Sequence, residues 1–378
     1  MSKLSYPRYL KTSHGFLKLP AFFPDATLGA VKGVDSSDLE KCKVSGVVVN
    51  TYHLLANGQK EIIKNSGGIQ NFMNFQKPII SDSGGFQVMS LIHDHKDMGK
   101  ISDKGITFYQ EGKKILLTPE KSIRTQIELG ADILICLDDC THPEMGITDQ
   151  EESVRRTLLW AKRCKAEFEF LQGFLQGETL RGTARSPLAE LAELSKKPLL
   201  FAVVQGGTNN KLRKFCAGEL IKIGFDGYCF GGFPVDVNRK FLSGILKYVA
   251  NLLPKDKPKY AMGVGKPENI VECFKMGYQM FDCVIPTREA RHRKLYYWEK
   301  DPKKVNLNRK NFYQTLDIGK GKYQEDKNPI SKFCDCLACK NYSRSYLHHL
   351  FKVGDSLAIR LATIHNLRFY SQLLERLK

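Results

Sequence analysis

Ile133-Leu134-Ile135-Cys136-Leu137, followed at once by Asp138-Asp139, is a short apolar run that ends in carboxylates. Runs of this kind, rich in β-branched residues, read as buried strands. They recur at residues 16–23, 46–52, 78–82, 199–205, 227–232, 260–264 and 280–286, beside 133–138 itself. Longer segments of helical period separate most of them, among them 119–129, 151–168 and 267–277. Eight strand candidates alternating with helices predict an α/β chain closed into a parallel (β/α)8 TIM barrel. An open doubly wound sheet is the alternative. No G-x-G-x-x-G opens a helix after a strand, which weighs against it.

The carboxyl ends of these runs carry polar residues. Asp82 closes Pro78-Ile79-Ile80-Ser81 and precedes Ser83-Gly84-Gly85, where backbone can approach a ligand closely. Gln205 closes Phe201-Ala202-Val203-Val204, Gly231-Gly232 closes Tyr228-Cys229-Phe230, and Asp282 lies within Met280-Phe281-Asp282-Cys283-Val284. In a TIM barrel the carboxyl ends of the strands form the active-site face, so residues scattered along the chain would meet in one pocket. Each alone reads as well as a helix cap or a turn residue. Their recurrence at one phase of a repeating unit is harder to explain that way. Paired carboxylates suit glycosyl chemistry, with one as nucleophile at an anomeric carbon and the other moving protons on the leaving group. An amide and backbone N–H groups beside them suit the edge of a flat heterocycle.

The formal net charge of +18 favours a polyanionic partner. Arg288, Arg291, Arg293, Lys294, Lys300, Lys303, Lys304, Arg309 and Lys310 crowd one stretch. Tyr296, Tyr297 and Trp298 interleave with them, as stacking platforms for bases or as core. Further on, Cys334-Asp335-Cys336-Leu337-Ala338-Cys339 has the spacing and chemistry of a structural zinc site, which closes its shell with one more ligand. His348, His349 and His365 all qualify by spacing. A closed shell leaves no position for substrate, so the reaction belongs to the strand ends. Eleven cysteines, an odd number, fit a reducing cytoplasm better than a disulfide framework. No apolar run reaches the roughly 18 residues of a membrane span, and Met1-Ser2-Lys3-Leu4-Ser5-Tyr6-Pro7 carries no secretory h-region.

Several longer stretches carry a resemblance. Asn50-Thr51-Tyr52-His53-Leu54, Ser81-Asp82-Ser83-Gly84-Gly85-Phe86-Gln87-Val88, Val204-Gln205-Gly206-Gly207 and Phe225-Asp226-Gly227-Tyr228 come first in chain order. Met262-Gly263-Val264-Gly265-Lys266-Pro267 and Phe281-Asp282-Cys283-Val284-Ile285-Pro286-Thr287-Arg288 follow, and then the zinc stretch through Leu350. Together they resemble the tRNA-guanine transglycosylases, or queuine tRNA-ribosyltransferases, of bacterial type, over nearly the whole chain.

The resemblance implies a single TIM-barrel domain over 1–378, with a zinc-binding subdomain and closing helices at about 300–378. It implies exchange of the wobble guanine of G-U-N anticodons for a 7-deazaguanine through a covalent tRNA–enzyme intermediate. Asp282 would be the nucleophile and Asp82 the acid/base. Asp138, Gln205 and the backbone of Gly231 and Gly232 would read the base, with Ser83 and Cys140 beside them. Phe86, Met262 and Gly263 would form the faces of its pocket. Arg288, Arg291 and Lys266 would meet the RNA. One structural zinc per chain would sit on Cys334, Cys336, Cys339 and His365. Partners would be G-U-N tRNA, guanine, a 7-deazaguanine and a second copy of the chain in a homodimer. A non-catalytic tRNA-binding subunit is the alternative, disfavoured by both aspartates standing in full motifs. An unrelated barrel glycosidase would leave the zinc cluster and the charge unexplained.

Two departures from the family pattern stand out. The usual Leu-Ala-Val-Gly-Glu after the glycine pair is Phe233-Pro234-Val235-Asp236-Val237 here. The glutamate that helps bind an aminomethyl group is missing, and Asp236, one residue early, is a candidate substitute. The departure weighs against the aminomethyl base, 7-aminomethyl-7-deazaguanine, which remains the expected one, with queuine or another deazapurine as the alternative. Residues 165–197 form a longer connection than usual, expected as a surface loop with a short helix, and Arg181 and Arg185 in it are candidate RNA contacts.

Overall fold

The computed structural model describes residues 6–56, 58–94, 99–110, 113–178, 197–309 and 311–378. Strands β1 (Ala21–Pro24), β2 (Val47–Asn50), β3 (Ile79–Asp82), β4 (Ile133–Ile135), β5 (Leu199–Val204), β6 (Gly227–Phe230), β7 (Lys259–Ala261) and β8 (Met280–Cys283) share one sheet. Their order is β1-β8-β7-β6-β5-β4-β3-β2, and every pairing is parallel. A parallel bridge between Asp25 and Val48, with the Ala26 N–H 2.8 Å from the Val48 carbonyl, joins the two end strands and closes the barrel.

Alternation along each strand divides the side chains. Ala21, Phe23, Val48, Ile80, Ile133, Ile135, Phe201, Val203, Cys229, Tyr260 and Met280 form one buried cluster inside the barrel. The other phase, including Phe22, Leu134, Ala202, Phe230 and Phe281, joins the larger core beneath the helices. An antiparallel hairpin of Tyr9–Thr12 and Gly15–Lys18 caps the amino-terminal end, and its Leu17, with Leu19, completes the inner cluster.

The run at 16–23 is therefore two elements, a hairpin strand and a barrel strand that begins at Ala21. Several strands also stop earlier than their apolar runs. β4 ends at Ile135 and β7 at Ala261. After β8, Pro286 has no N–H for a ladder and stands in the first turn of the Ile285–Arg291 helix instead. Two antiparallel units escape an alternation-based reading altogether: a sheet of Gly99–Ser102, Gly105–Gln110 and Lys113–Leu117, and a hairpin of Lys294–Tyr297 with Gln314–Asp317.

The connection from 165, expected as a surface loop with a short helix, is helical to Glu178, as the continuation of a helix over Ile147–Glu178. Good helix formers dominate its start, and Phe168 and Leu171 bury there. Residues 179–196, with Arg181 and Arg185, lie outside the described residues, as does Lys310.

The carboxyl-terminal helix Ser356–Leu377 locks the loops beyond β7 and β8. Its Tyr370 hydroxyl donates to the Gly265 carbonyl at 2.6 Å. Its Asn366 donates to the carbonyls of Pro286 and Lys294 and accepts from the Tyr296 N–H. Tyr296 and Trp298 are buried, with ring centroids 5.5 and 4.6 Å from Phe369. They are core and not platforms for bases. Tyr297 is half-buried against the second core.

At the amino-terminal end, one fully buried carboxylate organises the start of the barrel. Asp132 accepts from the backbone N–H groups of His14 and Ile79, each at 2.9 Å, and from Gln70 Nε2 at 3.0 Å, and it lies 3.0 Å from His14 Nδ1. Asp132→Ala leaves the Ile79 N–H and the Gln70 amide buried without this acceptor, which costs about 3 kcal/mol. Urea unfolding should show a clearly lowered midpoint. An unchanged midpoint would mean that this carboxylate does not hold the barrel's base together.

Candidate active site

One step beyond the apolar layers, the inward phase of the strands turns polar. Asn50 on β2 pairs in register with Asp82 on β3, and Asp282 on β8 pairs with the inward Phe23 of β1. Gln205, Gly231 and Met262 follow Val203, Cys229 and Tyr260 by two residues on β5, β6 and β7. Asp138 reaches the same mouth from the loop after β4. Its neighbour Asp139 turns away, pairs with Arg156 and accepts at its backbone carbonyl from Ser153.

A cavity of about 430 Å³ lies at this mouth. Asp82, Asp138 and Asp282 all face it, with Phe86 and Met262 as its bulky apolar walls. Cys140, Gly231, Gly232 and Gly263 line it too, and Lys266 and Arg288 stand at its edge with exposed side chains. Gly231 is required by space: a Cβ there would fall 2.5 Å from Val203 Cγ1 and 2.6 Å from Gln205 Nε2. Three expected site residues stand off the cavity. Gln205 is buried behind Asp138 and touches the mouth through it. The Ser83 hydroxyl is buried and accepts from the Gly85 N–H. Arg291 is half-buried and does not line the cavity.

The three carboxyls are held differently. Burial raises the pKa of Asp82, and hydrogen bonds from Gln87, the Ser83 backbone and Asn50 only partly restrain it. Asn50 Nδ2 and Gln87 Nε2 lie 3.2 and 3.3 Å from the same Asp82 oxygen. Burial pushes Asp282 up to about 6, while the Gly263 N–H and the Tyr260 hydroxyl favour its ionised form and the charges of Asp82 and Asp25 oppose it. The Gly263 bond is 2.9 Å long and comes from a backbone at φ +71°, where a side chain would be strained. Burial also lifts Asp138 to about 7, against the hydrogen bond from Gln205 Nε2 at 2.6 Å. Such an arrangement can hold a proton on one carboxyl near neutrality while another is ionised, the requirement for acid/base and nucleophile in one reaction.

The loop after Gly232 builds a wall of Phe233, Pro234, Val235 and Phe241. The Phe233 ring lies 5.4 Å from Phe86 and 5.7 Å from His142. Asp236 does not line the cavity. Its carboxylate accepts from the N–H groups of Asn238 and Lys240, at 3.0 and 2.8 Å, and is tied into that turn. It is not placed as a substitute for the missing glutamate.

The second cluster lies near the carboxyl terminus. Ligand atoms of Cys334, Cys336, Cys339 and His365 all fall within 4.8 Å of one another and could hold a metal ion. His365 Nε2 lies 2.6 Å from the Tyr296 carbonyl and donates to it, which leaves Nδ1 as the free lone pair facing the thiols, 3.2 Å from Cys339 Sγ. The donor set and the fixed tautomer fit a tetrahedral thiophilic cation such as zinc. Arg368 grips Asp335 between the first two cysteines through two bonds, at 2.5 and 3.0 Å. His348 faces the Ile318 carbonyl instead, and His349 is exposed. Spacing alone could not choose among the three histidines, because the one that belongs lies on a helix folded back over the loop.

Asp25 and Asn50 escaped the sequence reading. Asp25 follows the inward Ala21 and Phe23 at the same phase and bridges the inward Val48. Counting by two from Ala21 and Phe23 reaches it, one step past the end of the apolar run.

The family described as queuine tRNA-ribosyltransferase matches residues 8–378. A queuine tRNA-ribosyltransferase of Acinetobacter baumannii is 39% identical over 371 residues, covering 98% of this chain and 88% of the relative. Relatives of the same name from Mannheimia succiniciproducens and Haemophilus ducreyi are each 38% identical, covering 96% of this chain and 85% of theirs. Among the described residues, no helix is long and apolar enough to cross a membrane.

The raised pKa of Asp282 has a measurable sign. Its folded value of about 6 lies above the ordinary 3.8, so ionisation opposes folding, and stability falls as pH rises from about 4 to 6. Asp282→Asn removes that charge. It should stabilise the protein at pH 8 on the order of 2 kcal/mol, with the gain gone near pH 4. Thermal unfolding of both proteins across this range checks it. A variant less stable at pH 8 would show that the carboxylate is held by more favourable contacts than these.

Proposed function

We propose a reaction on the premise that the chain belongs to the queuine tRNA-ribosyltransferase family and is therefore a tRNA-modifying pentosyltransferase. The substrate is the wobble guanosine of G-U-N tRNAs, those for Asp, Asn, His and Tyr, and the incoming base is a 7-deazaguanine. The supporting observation is a cavity lined by a carboxyl pushed up to about 6, a second, separately hydrogen-bonded carboxyl, a third carboxyl at Asp138, and Gly232.

Guanine presents N1–H and an amino group as adjacent donors and O6 as an acceptor. Asp138, ionised and oriented by Gln205 behind it, meets the donors, while the Gly232 N–H serves the carbonyl, in the manner of a base read outside its helix. Phe86 and Met262 enclose its faces. Asp282 attacks C1′ of the ribose as the C1′–N9 bond breaks, and Asp82 supplies the proton that lets the base leave neutral. The incoming base gives its N9 proton to Asp82, bonds to C1′ and displaces Asp282. Arg288, Arg291 and Lys266 face the phosphates. The incoming base is 7-aminomethyl-7-deazaguanine or queuine. With Asp236 tied into its own turn, the aminomethyl group lacks the acidic partner that would have set it first, and direct competition orders the two.

Cys334, Cys336, Cys339 and His365 hold one structural zinc ion, and that lobe, at about 300–378, forms one domain with the barrel over 1–378. The working unit is a cytoplasmic homodimer on tRNA.

Covalent trapping tests the chemistry. Unmodified tRNA with a G-U-C anticodon, incubated with protein and a deazapurine, should stay attached through denaturation, and Asp282→Asn should abolish the adduct. An adduct that survives this substitution overturns the nucleophile assignment. Asp82→Asn should slow exchange by 100-fold or more, within the usual range for a lost acid/base. For the metal, Cys334→Ala should lower bound zinc from one per chain to near zero and destabilise the carboxyl-terminal helices. Full zinc and full stability in that variant would contradict the assignment.

A further inference from the structure

The groups assigned to the base occupy one arc of the barrel mouth, from β3 through β7. Asp82, Asp138, Gln205, Gly231 and Met262 follow one another around it. Asp282 on β8 ends that arc at the carbon where base and ribose join. The sugar of the same nucleotide must therefore fall toward the remaining arc, β1 and β2. The inward residues there are Asp25 and Asn50. Asn50 is committed, with Nδ2 on Asp82 and Oδ1 accepting from the His53 N–H at 3.3 Å.

Asp25 is the unassigned group. It extends the inward phase of β1 by one step, bridges Val48, and lies next in line after the Asp282–Phe23 and Cys283–Pro24 pairs of the β1–β8 ladder. It is half-buried, and the Thr27 hydroxyl donates to one of its oxygens. Its charge is felt at both Asp282 and His53. A carboxylate has about four lone-pair sites, so Thr27 leaves room for another donor. Asp25 does not itself line the cavity walled by Phe86 and Met262 but stands beside it on the β1–β2 side, near enough for its charge to bear on Asp282. A negative group set there is out of character for a chain of charge +18 unless it accepts a hydrogen bond from the polyanionic substrate. On the ribose, the donor beside C1′ is the 2′-hydroxyl, the group by which a protein tells RNA from DNA.

Resting on the function proposed above, we propose that Asp25 is a specificity-determining residue that accepts a hydrogen bond from the 2′-hydroxyl of the nucleotide whose base is exchanged. The test is a double-mutant cycle between residue and substrate. Guanine exchange is measured on an anticodon hairpin bearing G-U-C, either all-ribose or with 2′-fluoro at the exchanged guanosine. The fluorine removes the donor while keeping the ribose pucker. Wild type should lose at least tenfold in kcat/KM on the fluoro hairpin. Asp25→Val should lose a similar factor on the all-ribose hairpin, and its further loss on the fluoro one should be at least tenfold smaller than the wild-type loss. The electron-withdrawing fluorine slows reaction at C1′ in every variant and so cancels from the cycle. Asp25→Asn, isosteric and still an acceptor, should keep part of the discrimination, and it carries the test if the valine variant does not fold. Losses that multiply independently, or a wild type indifferent to the hydroxyl, overturn the assignment of Asp25 alone. A wild type that exchanges no guanine on the all-ribose hairpin overturns the proposed function with it.

Discussion

Eight parallel strands closed on themselves leave one side chain in two pointing at the axis, and below the mouth those side chains form one buried apolar cluster. Everything that distinguishes this molecule follows from how those inward positions are filled. Ala21, Phe23, Val48, Ile80, Phe201, Tyr260 and Met280 are among those that make the lower layers apolar and rigid. One step up, the same phase carries Asn50, Asp82 and Asp282 on the strands and Asp25 and Gln205 just past strand ends, so carboxylates and amides are aimed inward by the barrel wall. Their positions are set by the barrel and not by flexible loops, which is what precise placement of reacting groups needs.

This placement has an energetic cost. Burial pushes Asp82, Asp138 and Asp282 above the ordinary carboxyl range. Each is restrained by one to three donors and none by an ion pair, whereas Asp139, next to Asp138 and also raised by burial, is paired with Arg156. The difference separates a carboxyl kept responsive from one used as a fastener. Opposing support comes from the carboxyl-terminal helix, which ties Gly265, Pro286 and Lys294 to its own side chains and carries His365 to the cysteine cluster. The segments beyond β7 and β8, the loop with Gly263 and the short helix with Arg288, are thus fixed through the same helix that completes the metal-ligand set.

The barrel was legible because parallel strands buried on both faces leave continuous apolar runs, and the polar residues at their ends were legible because they break those runs. What escaped had physical reasons. Residues 16–23 read as one strand because a hairpin leg and a barrel strand are both apolar and adjacent. The antiparallel sheet at Gly99–Leu117 lacks the βα spacing that revealed the barrel. Asp139 and Ser83 sit in motif positions yet turn away from the cavity, because a loop after a strand end need not keep its alternation. His365 could not be chosen by spacing, since a 22-residue helix brings it back through space. Asp236 looked available in sequence and is consumed by its own turn.

The central claim is that the polar layer at the barrel mouth exchanges a base on intact RNA. The most direct measurement is incorporation of labelled guanine by purified, zinc-loaded protein into an unmodified tRNA with a G-U-C anticodon. The expected result is label retained in full-length tRNA at the wobble position, with no strand cleavage. Protein that binds this tRNA and holds its zinc but incorporates no label would contradict the account and leave the mouth a binding surface without chemistry.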